Sequence, residues 1–206
     1  MTGSGWIEVN AAIAAAPYPV QTIAPNPAHA EACLATLGVT TRSWLGAVIA
    51  NTGGLLIDYR WLRVLGSGGE GLPDILVGAN RERRGLVVGY DVLGGQFAWL
   101  PGAPGKQPTI HYFGPDDLNW LDLEQGYADW LYAVLSGSLT GFYNYLRWPG
   151  WESEVLRLGL DQGIHTDPPP WTREGRDLST VSRKTMPMAE LVASHHEMAR
   201  QLSRNQ

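Results

Sequence analysis

The chain has 206 residues and a mass of 22.5 kDa, enough for a single globular domain over residues 1–206 with a sizeable core. Hydrophobic residues make up 44% and charged residues 17%, with nine Trp and eight Tyr, which excludes a disordered or collagen-like chain despite 25 Gly and 14 Pro. A net charge of -5 removes the basic footprint that phosphate backbones demand, so nucleic acid is excluded as a partner and a basic protein favoured. Cys33 is the one cysteine, which suits a reducing cytoplasm and leaves no disulfide framework. No Lys or Arg precedes Arg42, and Gly, Pro and Asn break every long apolar run, so neither a signal peptide nor a membrane span is expected.

In chain order, residues 5–15 read as a weakly amphipathic helix, followed by an extended connector through Pro17, Pro19 and Pro25. Asn26 is an N-cap, with Pro27 at the first helical position and Gly38 as the stop. Ser43 to Ala50 fits a helix, although Val48 and Ile49 leave a strand open. Leu55 to Asp58 and Trp61 to Leu65 read as strands joined at Tyr59 and Arg60, and Pro73 opens a short helix to Asn80. Leu86 to Tyr90 and Gln96 to Leu100 flank "DVLGG" as a hairpin, with Thr109 to Phe113 as the next strand. Tyr127, Trp130, Leu131, Val134 and Leu135 form one helical stripe, and Leu139 to Leu146 and Trp151 to Leu158 are also helical. Residues 159–185 show little periodicity and read as an irregular strap anchored by Trp171. Pro187 then opens a final helix with Met188, Leu191, Val192, His195, Ala199 and Leu202 on one face.

Several motifs invite chemistry. Gly66, Gly68 and Gly71 spell G-x-G-x-x-G, but a dinucleotide site needs that string between a strand and a helix start, and here Leu72 and Pro73 intervene; turn glycines are the better reading. "PGAPGKQ" lacks the first glycine and the hydroxyl of a P-loop. His195 and His196 lack zincin spacing; His195 falls on the apolar stripe with His196 pointing away, and His111 and His165 have no nucleophile elbow beside them. No catalytic residue, metal site or cofactor is therefore expected. The run Trp120, Tyr127, Trp130, Tyr132, Phe142, Tyr143, Tyr145, Trp148 and Trp151 reads as core. Charge is the stronger signal: residues 107–146 contain no Lys or Arg, while Asp116, Asp117, Asp122, Glu124 and Asp129 supply carboxylates, which form either a solvated face or a docking surface for a basic partner.

The segments "TTRSWLGAVIANTGGLLIDYRWLRVLGSG", "YDVLGGQFAWLPG", "IHYFGPDDLNWLDLEQGYADWLYAVLSGSL" and "FYNYLRWPGWESEV" resemble an uncharacterised bacterial domain-of-unknown-function family. The order of helix, "NTGG", strands, "VLGGQFAWL", "IHYF" and aromatic helix is also similar to the SUKH superfamily, which includes bacterial immunity proteins and yeast cell-wall-synthesis regulators. That resemblance implies an α+β domain, a mainly antiparallel sheet flanked by helices and here extended by C-terminal helices. It implies a binding role without enzymatic chemistry, such as neutralising a toxin. On the same resemblance Asn51, Gly53 and Gly54 form an Asn-Gly turn, and Gly94 and Gly95 are hairpin glycines. The alternative is a small-molecule binder or enzyme with an aromatic-lined pocket.

Overall fold

The computed structural model describes residues 4–77, 79–80, 85–102 and 104–204. Helix α1 (Ser4–Ala15) leads into strand β1 (Val20–Ile23), then α2 (Pro27–Leu37) and α3 (Trp44–Asn51). The caps lie where the sequence puts them. Asn26 accepts a bond from the His29 amide, Gly38 closes α2 with φ 64°, and Ser43 accepts from the Gly46 amide, which makes residues 44–51 a helix and not a strand.

Strands β2 (Gly54–Ile57), β3 (Leu62–Leu65), β4 (Ala79–Asn80), β5 (Gly85–Asp91), β6 (Gln96–Leu100), β7 (Thr109–Phe113) and β8 (Trp120–Asp122) complete one sheet. Its order is β1-β2-β3-β5-β6-β7-β8, with β4 also paired to β5, and every pairing is antiparallel. The fold is α+β. The short helix expected from Pro73 to Asn80 is absent among the described residues. Asp74 instead accepts bonds from the amides of Leu76 and Val77, an Asx-type turn that outcompetes a helix here, and β4 follows.

Alternation along the strands assigns two faces. Phe97 and Tyr112 point to the side of α4 (Tyr127–Ala133), where Phe97 lies 5.2 Å from Trp130. All five residues of the Tyr127 stripe are buried, and the helix bends at Gly137 (φ 108°) into α5 (Leu139–Phe142), with the Tyr18 hydroxyl donating to the Val134 carbonyl at the bend. Helix α6 (Trp151–Val155) follows, shorter than expected. Trp61 packs against Tyr143, Trp148 and Trp151, while Tyr132 and Tyr145 are exposed, so the aromatic run is core with two exceptions. The three left-handed residues Asp58, Tyr59 and Arg60 of the β2–β3 turn are held by the Asp58–Arg147 ion pair at 2.6 Å, with the Arg147 guanidinium 4.3 Å from the Trp151 ring centre.

The segment read as an irregular strap begins and ends in strands, β9 (Gln162–Asp167) and β10 (Ser182–Pro187), which pair antiparallel. Arg183, Lys184 and Thr185 alternate little in polarity, so the two-residue period was not visible in sequence. Helix α7 (Met188–Arg204) starts directly after Pro187 and packs on the other face of the sheet, burying Met188, Leu191 and His195 but leaving Leu202 exposed. His196 does not point away: its ring lies 4.5 Å from that of Phe113 and it bonds Gln96. Trp171 meets His195 edge-on at 5.3 Å.

Asp91 joins these layers. Fully buried at the end of β5, it accepts bonds on Oδ1 from the amides of Leu93 and Gly95, and on Oδ2 from the hydroxyls of Tyr112 and Tyr143. Burial pushes its carboxyl up, and these four donors oppose that. A Cβ on Gly95 would stand 2.1 Å from Oδ2, so this hairpin position admits glycine alone.

Replacing Asp91 by Leu leaves two amides and two hydroxyls unpaired, and a loss of about 3 kcal/mol or more is expected. Asp91→Asn should cost clearly less, because one amide oxygen still serves the turn. Equal midpoints for the two variants in urea would refute this account. His195, held by burial at about 4 with His165 and His196 adding repulsion, is neutral in the fold while the unfolded chain takes a proton near 6.5. Its contribution is therefore present above pH 6.5 and lost as pH falls toward 4, by about 3 kcal/mol. His195→Gln should flatten stability against pH over that window, and an unchanged slope would count against it.

Candidate functional site

The two glycine runs meet backbone to backbone. Gly66 and Gly68 amides donate to the Gly53 carbonyl, the Ser67 amide donates to the Thr52 carbonyl, and the Gly69 amide donates to that of Leu72. A Cβ on Gly53 would lie 2.5 Å from the Gly68 carbonyl oxygen, and one on Gly66 would lie 2.5 Å from that of Thr52. The amides of residues 66 to 69 are engaged by carbonyl groups and no helix start directly follows the string among the described residues, so the G-x-G-x-x-G stretch works as a clasp between the β2 and β3 ends. Gly54 begins β2 under Leu72, and Gly94 (φ 83°) lies in the β5–β6 turn beneath Leu191 and His195 of α7.

The five carboxylates spread over the β7–β8 turn, β8, the β8–α4 connection and the start of α4. Asp117 accepts from the Asn119 amide and Asp122 from the Glu124 amide, which holds the Asp122 carboxyl below its usual range, while Asp129 occupies the first turn of α4. Asp116 turns partly inward and burial pushes its carboxyl up. Asp117, Asp122, Glu124 and Asp129 are exposed. Beside them Leu121, 57% exposed, sits on the edge strand of the sheet.

His111 lies 3.7 Å from Asp122 and 3.2 Å from the Thr109 hydroxyl, His165 is in β9, and His195 and His196 are in α7. Cys33 is buried, which pushes its thiol up and away from nucleophilic use. Among the described residues no cluster of three or more His, Cys, Asp or Glu is placed to hold a metal ion, and no helix is long and apolar enough to cross a membrane.

One feature was not singled out in the sequence: a charge in the middle of a buried strand. Arg63 of β3 is 1% exposed between Leu62 and Val64. Its side chain points to the α7 face, where Nη1 donates to the carbonyl oxygens of Leu160, at 2.9 Å, and Gln162. Nε and Nη2 are buried and have no hydrogen-bond partner among the described residues. Burial pulls the guanidinium down to about 10, with Asp161 pulling the other way, so it stays charged at neutral pH.

Arg63 and Tyr90 line a cavity of about 480 Å³. Leu72, Pro73 and Val77 wall it from the glycine-rich loop, and Met188, Ala189 and Val192 from α7. The Met188 amide donates to the Asp161 carbonyl at 2.7 Å, which pins the helix start to the rim. A permanently charged arginine is neither acid nor base, so this arrangement holds an anion and does not move a proton. A second recess of about 310 Å³, lined by Phe97, Trp130 and Phe142, opens on the other face and is aromatic but carries no charge.

Comparison with known proteins gives a family and no activity. The model of the family described as protein of unknown function DUF2625 matches residues 1–191. The uncharacterised protein YbfG of Escherichia coli K12 is 37% identical over 175 residues, 82% of this chain and 80% of its own length. An uncharacterized protein of Haemophilus influenzae Rd is 37% identical over 169 residues, 77% of this chain and 74% of its own. No solved structure matches. With the family model covering nearly the whole chain and two such relatives beside it, the chain belongs to the DUF2625 family.

Proposed function

We propose that the chain acts as one globular domain that binds a small organic molecule in the cavity between the sheet and α7. The observation that carries this reading is the cavity itself: a largely apolar cleft of the size that takes small ligands, built from β3, β5, the glycine-clasped loop and α7, with a buried charge on its wall. The expectation from sequence that stood second was a small-molecule binder with an aromatic-lined pocket; this cavity shares the binding role, but Tyr90 is the one aromatic residue among those lining it. Filling the site tests it. Ala189 is exposed at the rim, so Ala189→Trp should leave the fold intact while occupying the cavity. The fluorescent apolar anion 1-anilinonaphthalene-8-sulfonate should bind the wild type and lose about tenfold or more in affinity on the variant, since the contact of an apolar ligand with such a wall is worth about 1.5 to 3 kcal/mol per large side chain. Equal binding to both proteins would place the site elsewhere.

A second reading is favoured by the β8 edge, where Leu121 stands exposed among Asp117, Asp122 and Glu124. An open strand edge with carboxylates around it suits a basic protein partner, as expected of a SUKH-like immunity protein working in the cytoplasm. Replacing Asp117, Asp122 and Glu124 by Asn or Gln should then slow association with that partner at low salt, with little difference near 0.15 M, where screening acts over about 8 Å. Association rates measured against ionic strength decide it: identical rates at low salt would make the carboxylates a wet surface only.

A further inference from the structure

Arg63 has one structural task. Its Nη1 ties β3 to the carbonyl groups of Leu160 and Gln162 and so holds the approach to β9 against the sheet. These two bonds use the Nη1 corner of a planar group. Nε and Nη2 lie on the opposite edge and present two parallel N–H vectors, spaced to match the two oxygens of a carboxylate. A buried cation with three of its five N–H donors unpaired is disfavoured, and an anion of the right shape would relieve it.

We propose that the cavity binds a monocarboxylic acid with an apolar body, its carboxylate forked on Nε and Nη2 of Arg63. This rests on the cavity being a binding site. The walls select the body: Leu72, Val77, Met188 and Val192 offer it only carbon and sulfur. Asp161 selects the head. It also lines the cavity, is exposed, and couples electrostatically to Arg63, so a second negative charge on the ligand would meet its field. A single carboxylate is favoured over a phosphate monoester for that reason, and an ammonium is repelled by Arg63. Because Nε and Nη2 are buried, the head enters only as neighbouring side chains turn aside, which the unbranched Met188 on the same wall can do.

Isothermal titration of the whole chain with octanoate, octanol, octylamine and octyl phosphate separates head from body. Octanoate should bind about tenfold or more tighter than each of the other three, as a charge-assisted fork is worth over its neutral or mismatched counterpart. Arg63→Lys should bring octanoate close to octanol, since a lysine cannot make the fork. Ala189→Trp should weaken all binding. Octanol or octyl phosphate binding as tightly as octanoate would overturn the carboxylate assignment and leave the cavity reading standing, as would an undiminished preference in Arg63→Lys. Octanoate binding unchanged by Ala189→Trp would overturn both. The ranking of the four probes is read on the wild type, so it decides the matter even where the arginine variant fails to fold.

Discussion

Asp91 places a carboxylate at the point where three layers meet. Its four hydrogen bonds tie the β5–β6 turn to Tyr112 on the next strand and to Tyr143 beyond α5. The far side of the same turn receives the later chain: the Ile164 amide donates to the Val92 carbonyl, and Gly94 lies against Leu191 and His195. A carboxylate so buried is tolerated only because every lone pair finds a donor. Once it is in place, the turn becomes a rigid shelf on which β9 and α7 are registered, and the position of the α7 cavity wall follows from it.

The glycine runs and Arg63 act on that wall from below. With Gly53 and Gly66 in backbone contact, the ends of β2 and β3 approach closer than any side chain would permit, and the loop carrying Leu72 and Pro73 is drawn over the sheet. Arg63 then bonds outward to Leu160 and Gln162. Two buried charges of opposite sign, Asp91 and Arg63, thus stand on adjacent strands with different degrees of satisfaction. Asp91 is saturated and structural; Arg63, beside the cavity, has only its two Nη1 donors engaged and keeps Nε and Nη2 without a hydrogen-bond partner among the described residues.

The parts of the fold governed by local chemistry were legible in the sequence: the Asn26 and Ser43 caps, the Tyr127 stripe, the hairpin around "DVLGG" and the turn at Tyr59 and Arg60. Elements that owe their existence to distant partners were not. β1 is flanked by prolines and shows Gln21 and Thr22 to solvent, so only its pairing with β2 makes it a strand. β8 has three residues, and β9 and β10 exist through each other. The acidic residues were visible as charge, but not their local duties in turns and at a helix start. Arg63 could have been noticed as a lone charge in "WLRVL", yet nothing in its neighbourhood along the chain tells that its partners lie almost a hundred residues away.

That separation bears on the order in which the molecule is assembled and comes apart. β5 through β8 form a meander whose strands join by short connections, so loop closure opposes their pairing only weakly. The Arg63 bonds to Leu160 and Gln162 close a loop spanning 97 and 99 residues and contribute only after the sheet exists. The ribbon of β9 and β10 with α7 is joined to the rest through the bonds of Arg63 and Val92, the His196–Gln96 bond and the Arg183–Glu154 ion pair. Amide exchange is expected to show this late-docking unit opening below the free energy of global unfolding, with the meander protected longest. Opening of this kind would break the Arg63 bonds to Leu160 and Gln162 and take the α7 wall away while the sheet stays whole, so the cavity exists only while the ribbon is closed.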